Sequence, residues 1–442
     1  MNKKRNYAIE QLNSTDEDKN QFMLNSMVGN KAYLEAVKKL DSEKEKSNLL
    51  KKYKNDYLNY RKNWREFPKK AISEKLYGDN LTAPPMCVDI EVAAVCDLAC
   101  PHCYRQTIAT PDKIMSKDLA FKIIDQASSM GVPSMKFNWR GEPLLHPQLP
   151  ELISYAKSKG ILETIINTNA TTLDDKASNE LIDAGLDLMI YSFDGGTKET
   201  YEFMRPGRFK KNTFDSVYSN IVNFARIKNT KKSLLPRTKI QMVLTNDTIN
   251  EVDSYLNLFQ DVVDDVSVKQ YTERGGKIKD FDEHQKNQIK NFLEKNGISN
   301  DYELMRSLDG SLFVSNERLP CEQPYQRLLV TYDGRVSMCC YDWGSMHTIG
   351  FLDELAIKTG DRDYKDVKNK AEKKLKGFEM MNLKMPFKFN DPEKKVSTLN
   401  EIWIGAEIDR VRKKQNENKV ADLKICAKCP FKETYSWKKI EI

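Results

Sequence analysis

The chain has 442 residues, enough for two or three domains with separate cores. Its 31% charged and 40% hydrophobic residues suit a soluble globular protein, and no run of about 18 apolar residues offers a membrane-spanning helix. The excess of 71 basic over 64 acidic residues is small, and lysine runs such as 51–54 and 373–376 have acidic neighbours, so no nucleic-acid partner is expected.

The first residues, MNKKRNYAIEQLNSTDEDK, are basic but lead into no apolar segment, so a secretory signal is not expected. Nine cysteines in such a chain suggest a reducing compartment, the cytoplasm, where clustered thiols bind metal or do chemistry. Residues 1–84 show helix-like spacing and read as a helical extension closed by Pro84-Pro85. From residue 85 the pattern changes to strand (86–95), helix (116–131, Ser start and Gly stop), strand (134–139) and helix (149–160). It continues with strand (163–170), helix (174–185), strand (186–195), helix (213–228), strand (237–246), helix (250–262) and strand (264–272). This alternation predicts a parallel α/β sheet or barrel, with functional groups at the carboxyl ends of its strands. Residues 281–320 read as a helical linker. Beyond Cys321, RLLVTYDGRVSMCC predicts a hairpin turning at Asp333-Gly334, followed by a helix near 402–414 and a terminal CAKC at 426–429.

The first strand runs into CDLACPHCYRQ, where Cys96, Cys100 and Cys103 are spaced Cys-x3-Cys-x2-Cys. A cubane iron–sulfur cluster takes one thiolate per iron, so three leave one iron without a protein ligand, open to substrate or cofactor. A zinc site completed by His102 or a distant ligand is the alternative.

That loop after that strand resembles the radical S-adenosylmethionine (radical SAM) enzymes, over roughly residues 85–275. The resemblance implies a partial (β/α)6 barrel as the core, 85–280, with the helical extension at 1–84 and a small cluster-binding domain at 321–442. It implies a 4Fe–4S cluster whose open iron takes S-adenosylmethionine. It places Gly141 and Glu142, in RGEP (140–143), at the methionine amino group. Ser192 and Arg205 would take the carboxylate, while Asn169 and Asp194 stand at strand ends suited to ribose hydroxyls. Asn167 shares such an end. Arg140 stands where the family has glycine. Tyr104, just after the last cysteine, is the candidate to stack on adenine. An electron donor such as flavodoxin or ferredoxin is also implied.

Cys321, Cys339, Cys426 and Cys429 resemble the auxiliary-cluster domain called SPASM, or its shorter twitch relative, and imply ligands for one closed auxiliary 4Fe–4S cluster. A zinc ribbon from the same four is the alternative. Cys340 would point away from Cys339 on a regular strand and is the candidate hydrogen-atom donor; Cys87 reads as an inert buried thiol. Expected chemistry is oxidation or epimerisation of a small polar, sugar-like molecule, with Glu273 or Arg274 as candidate contacts. The alternatives are a peptide maturase and a non-catalytic metal-binding scaffold.

Overall fold

The computed structural model describes residues 16–106, 108–272, 283–297, 303–307, 311–315, 317–358, 362–363, 365–366, 394–427 and 429–440. Glu273 and Arg274 lie outside the described residues.

Three helices open the chain: α1 (Asp16–Ser26), α2 (Lys31–Val37) and α3 (Glu43–Ser73). Helix α3 begins in a capping box, Ser42 receiving the Glu45 amide while the Glu45 carboxylate returns to the Ser42 backbone. Its buried Tyr57 and Tyr60 pack with Met23, Met27, Met86 and Leu235 in a small cluster of their own. Tyr60 Oη donates to Glu163 Oε2 at 2.9 Å, which joins the extension to the start of a core strand.

Strands and helices then alternate: β1 (Cys87–Ile90), α4 (Lys117–Ser129), β2 (Ser134–Lys136), α5 (Leu149–Ser158), β3 (Glu163–Thr168), α6 (Asp175–Ala184) and β4 (Leu188–Ser192). Next come α7 (Lys198–Met204), α8 (Phe214–Thr230), β5 (Arg237–Leu244), α9 (Val252–Phe259) and β6 (Asp265–Gln270). Neighbouring strands from β1 to β6 are all parallel. Ser116 caps α4 by accepting the Leu119 amide, the start that the sequence signals.

Successive strand side chains alternate between faces. Val88, Ile90, Met135, Ile166, Met189, Tyr191, Ile240 and Met242 go to the main apolar core with the helices. Their neighbours Asp89, Lys136, Asn167, Ser192, Lys239 and Gln241 take the opposite face, so the barrel interior is polar and charged.

The carboxyl-terminal third does not stand apart. After α10 (Glu283–Lys295), β7 (Glu303–Arg306), β8 (Leu312–Ser315) and α11 (Gln323–Gln326), strand β9 (Arg327–Val330) runs parallel to β1, pairing Cys87 with Arg327 and Ile90 with Val330. Strands β10 (Arg335–Ser337) and β11 (Thr348–Phe351) follow in antiparallel register, giving nine strands in the order β11-β10-β9-β1-β2-β3-β4-β5-β6. The partial barrel is present, and its otherwise open β1 edge is closed by this hairpin. The turn uses Gly334 at φ +94°, as Asp-Gly predicts.

Residues 281–320 are more than a helical linker. Strands β7 and β8 pair with β12 (Lys438–Ile440) in a separate three-stranded sheet, whose apolar residues Val314 and Ile440 pack with Ile289 and Leu293 of α10. The late helix is two, α12 (Leu399–Trp403) and α13 (Ala406–Asn416), divided at Gly405 and followed by α14 (Lys424–Ala427).

Candidate active site

The cysteine loop starts beyond the carboxyl end of β1. Local bonds fold it: the Cys103 amide donates to Cys100 O at 3.0 Å, and the Gln106 amide to Cys103 O at 3.0 Å. The buried Gln106 side chain reaches back to Ala99 O and Cys100 O. Outside the loop, the Ala99 amide donates to Pro206 O and the Arg208 amide to Asp97 O, so the segment after α7 clamps it. Arg208 and Arg105 share Asp112.

Cys96 and Cys100 lie in electrostatic reach of neighbouring charged groups, yet burial dominates. It pushes the Cys96 thiol up to about 12 and raises Cys100 further, so the bare loop holds both protonated. A bound cation would displace those protons. None of the nine cysteines forms a disulfide. Among the described residues, no group of three or more His, Cys, Asp and Glu converges on a single metal ion. A cubane does not require that convergence, because each thiolate binds a different iron.

Three strand ends gather beside the loop. Gly141 sits at φ +69°, and a Cβ there would lie 2.4 Å from Val95 O and 2.5 Å from Ala93 O, so only glycine lets the turn press against the strand feeding the cysteines. The Glu142 amide donates to Val95 O at 2.8 Å. Its carboxylate accepts from Thr168 Oγ1 and the Asn169 amide, each at 2.7 Å, and from the Leu144 amide at 3.1 Å. Burial outweighs those donors and pushes Glu142 up to about 7. Asn169 also points Nδ2 at Asp97 Oδ1 (2.8 Å) and lies 4.0 Å from Cys96 Sγ. Gly141, Glu142 and Asn169 therefore surround the loop.

Asp194 and Arg205 are brought together, but with each other: Arg205 Nη2 is 2.7 Å from Asp194 Oδ2, and His102 Nε2 approaches the same oxygen at 3.4 Å. Ser192 ends β4, half-buried, in register with Gln241 of β5. Tyr104, the candidate to stack on adenine, has its buried ring against Trp343 of the carboxyl-terminal domain, ring centroids 5.5 Å apart and planes 12° from parallel. Asn167 donates its amide to Asn138 Oδ1.

The second set also assembles. Cys321 has both Cys426 and Cys429 as electrostatic neighbours, and Cys339 has Cys321 and Cys429. Burial raises Cys426 to about 12. Gln415, fully buried on α13, receives the Cys321 amide on Oε1 at 3.3 Å and donates Nε2 to Cys426 Sγ at 3.3 Å. Cys340 is not turned away from Cys339: β10 ends at Ser337, so strand alternation no longer applies, and the two thiols are electrostatic neighbours. Gln323 Oε1 lies 3.7 Å from Cys340 Sγ.

Sequence reasoning missed what joins the two sets. Arg140 is fully buried and holds Glu91 with Nε at 2.5 Å and Nη2 at 2.7 Å, while Nη1 donates to Trp343 O at 3.3 Å. Glu91 also accepts the Tyr332 amide at 3.2 Å, and Trp139 Nε1 donates to Cys340 O at 2.8 Å. In the sequence Arg140 stands out only as a departure from glycine. Gln415 gave no signal beyond its helix.

Residues 90–259 match the radical SAM superfamily, and residues 321–430 match SPASM, an iron–sulfur cluster-binding domain. The chain thus contains a radical SAM domain and a SPASM domain. Those domains imply a 4Fe–4S cluster with S-adenosylmethionine and an auxiliary iron–sulfur cluster, and two disulfide-free cysteine sets, each partly buried, fit them. A probable GTP 3′,8-cyclase of Methanothermobacter marburgensis is 36% identical over 28% of this chain and 41% of its own length. The Fe-coproporphyrin III synthase of Methanosarcina barkeri is 33% identical over 29% of this chain and 31% of its own. The chain thus spans less than half of these curated relatives. Among solved structures, BtrN in complex with AdoMet and 2-DOIA aligns at TM-score 0.42 and 15% identity, over 78% of this chain and 93% of BtrN. Streptococcus suis SuiB bound to precursor peptide SuiA aligns at 0.47 and 13%, over 84% and 73%. In the described residues no helix is long and apolar enough to cross a membrane.

Proposed function

We propose that this radical SAM protein cleaves S-adenosylmethionine reductively and oxidises or epimerises a small polar, sugar-like molecule held inside the barrel. Cys96, Cys100 and Cys103 would hold the cluster with the open iron, and Cys321, Cys339, Cys426 and Cys429 the auxiliary one. When bound, the first cluster and S-adenosylmethionine supply a 5′-deoxyadenosyl radical that takes a hydrogen atom from substrate. The observation that carries this is the convergence of Gly141, Glu142 and Asn169 on the cysteine loop, above an interior lined by polar side chains.

The residues then have separate tasks. Exposed carbonyls around Gly141 and the Glu142 carboxylate suit the methionine ammonium. Arg205 would take the carboxylate, exchanging Asp194 for it, and Ser192 would assist. Tyr104 would hold the C-terminal domain against the loop instead of meeting adenine. A one-electron donor of the flavodoxin or ferredoxin type would supply the cleavage electron, and Cys321, Cys339, Cys426 and Cys429 would hold the auxiliary cluster able to accept an electron from an oxidised substrate. Cys340 is the thiol that an epimerase would use to return a hydrogen atom. The helical character of residues 16–73, with no strand among them, favours a small molecule over a peptide that needs a strand-rich recognition module.

The test is anaerobic reconstitution, chemical reduction and measurement of 5′-deoxyadenosine, first without substrate and then with deuterated polyols or peptides. Label passing from a polyol into 5′-deoxyadenosine supports the proposal. Failure to form 5′-deoxyadenosine at all would sink it.

A further inference from the structure

Lys136 closes β2 with its neighbours Met135 and Phe137 packed in the apolar core, so its own side chain turns to the barrel interior. The register sets it opposite Asp89 of β1, and Arg327 of β9 stands on the other side of β1. Asp89 is engaged: Arg327 Nη1 lies 3.0 Å from its Oδ2, and Cys87 Sγ lies 3.6 Å from Oδ1. Lys136 is half-buried and pairs with no carboxylate among the described residues, and Arg327 Nε is buried without a hydrogen-bond partner.

Lys136 has Asp89, Arg327, Cys340 and Cys87 as its electrostatic neighbours, and Arg327 has Asp89, Cys340, Cys87 and Cys339. Glu433 adds a second carboxylate on the Arg327 side, with Lys269 beside it. Partial burial inside the barrel lowers the Lys136 pKa, and Asp89 opposes that shift. A protein that keeps a lysine here, beside Cys340 and facing the interior, has left a positive position open.

We infer that Lys136, with Arg327 beside it, receives an anionic oxygen group of the substrate, a carboxylate or a phosphate. This rests on the interior being the substrate chamber proposed above, and it narrows the substrate to an acidic small molecule. Three donors on an ammonium and an adjacent unused guanidinium N–H suit an oxyanion, whereas a neutral polyol would leave the charge unanswered.

The test uses the full chain, reconstituted anaerobically and titrated by calorimetry at fixed ionic strength with inorganic phosphate, with acetate and with neutral glycerol. One of the two anions binds a saturable site that glycerol does not, and which anion does so separates phosphate from carboxylate. That affinity falls by about tenfold or more in Lys136→Gln and survives in Lys136→Arg. Lys176→Gln, on exposed α6, leaves it unchanged. An absent anion preference, or a preference untouched by Lys136→Gln, overturns the inference. So does a Lys136→Gln protein that binds the anion normally but shows a shifted auxiliary-cluster potential, since the lysine would then serve the cluster. Calorimetry does not depend on S-adenosylmethionine cleavage, so a protein that forms no 5′-deoxyadenosine refutes the radical chemistry and leaves this result standing on its own.

Discussion

Arg140 and Glu91 form a bidentate ion pair, 2.5 and 2.7 Å long, from which water is wholly excluded. The same two side chains reach Trp343 O and the Tyr332 amide, so one pair ties β1 and the RGEP turn to the SPASM domain. Breaking one partner leaves the other charge buried and unanswered. Arg140→Met is therefore expected to cost about 3–5 kcal/mol of stability, and Arg140→Met with Glu91→Leu to recover most of it. Denaturant unfolding of the reconstituted proteins checks both, and a double variant no more stable than Arg140→Met would contradict this account.

Glu142 gives a pH signature. Its folded pKa, about 7, lies above the ordinary carboxylate value. Its contribution to stability is therefore fully present below the unfolded pKa and is lost as pH rises through about 7. A ligand ammonium reverses the preference by favouring the carboxylate. S-adenosylmethionine affinity should then weaken as pH falls below about 7, by up to about tenfold per unit. Glu142→Gln should bind more weakly and with a flat profile over the same range. Equilibrium binding without reductant measures both; parallel profiles would contradict it.

The barrel was legible because a parallel sheet writes its alternation into local sequence, and the Cys96 loop because its spacing is local too. Capping at Ser116 and the Asp333-Gly334 turn were legible for the same reason. The pairing of β9 with β1 was not, since it joins residues 240 apart through backbone groups that any side chains can supply. Strand β12 was hidden likewise: KKI carries no period of its own and becomes a strand only against β8. Glu91, Arg140 and Gln415 look like surface residues in one dimension, and their burial depends on partners far along the chain. The stacking of Tyr104 on Trp343 was hidden too, because motif position fixes the Tyr104 backbone and not the ring that faces it.

Iron content separates the two thiol sets. Cys100→Ala should reduce a chain holding about eight irons to about four, and abolish 5′-deoxyadenosine formation, while the second set keeps its cluster. Cys426→Ala should also remove about four irons but spare S-adenosylmethionine binding. Gln415→Ala leaves every thiol in place and removes only the amide contacts to Cys321 and Cys426, so it should lower auxiliary-cluster retention without altering the first site. Iron and sulfide analysis with electron paramagnetic resonance reads all three. Full auxiliary occupancy in Gln415→Ala would show that the amide is dispensable.

Asn30 decides whether the amino-terminal helices are an ornament or part of the core. It is fully buried, caps α2 by accepting the Ala32 and Tyr33 amides, and donates to Asp187 Oδ1 at 2.7 Å and Leu162 O at 2.9 Å. Asp187 itself is held by Lys157 Nζ at 2.7 Å and by the Thr164 amide at 2.8 Å. Asn30→Ala loses a cap and a charge-assisted bond, together about 2–4 kcal/mol, but leaves Asp187 its other donors. Asn30→Asp separates the two contributions. Aspartate caps a helix as well as asparagine, yet here it would set a second carboxylate against Asp187 with no donor between them. The aspartate variant should therefore be the less stable of the two near neutral pH and recover as acid neutralises the new carboxyl. Thermal unfolding across pH measures this, and an aspartate variant as stable as wild type near neutrality would mean that the helices only rest on the barrel.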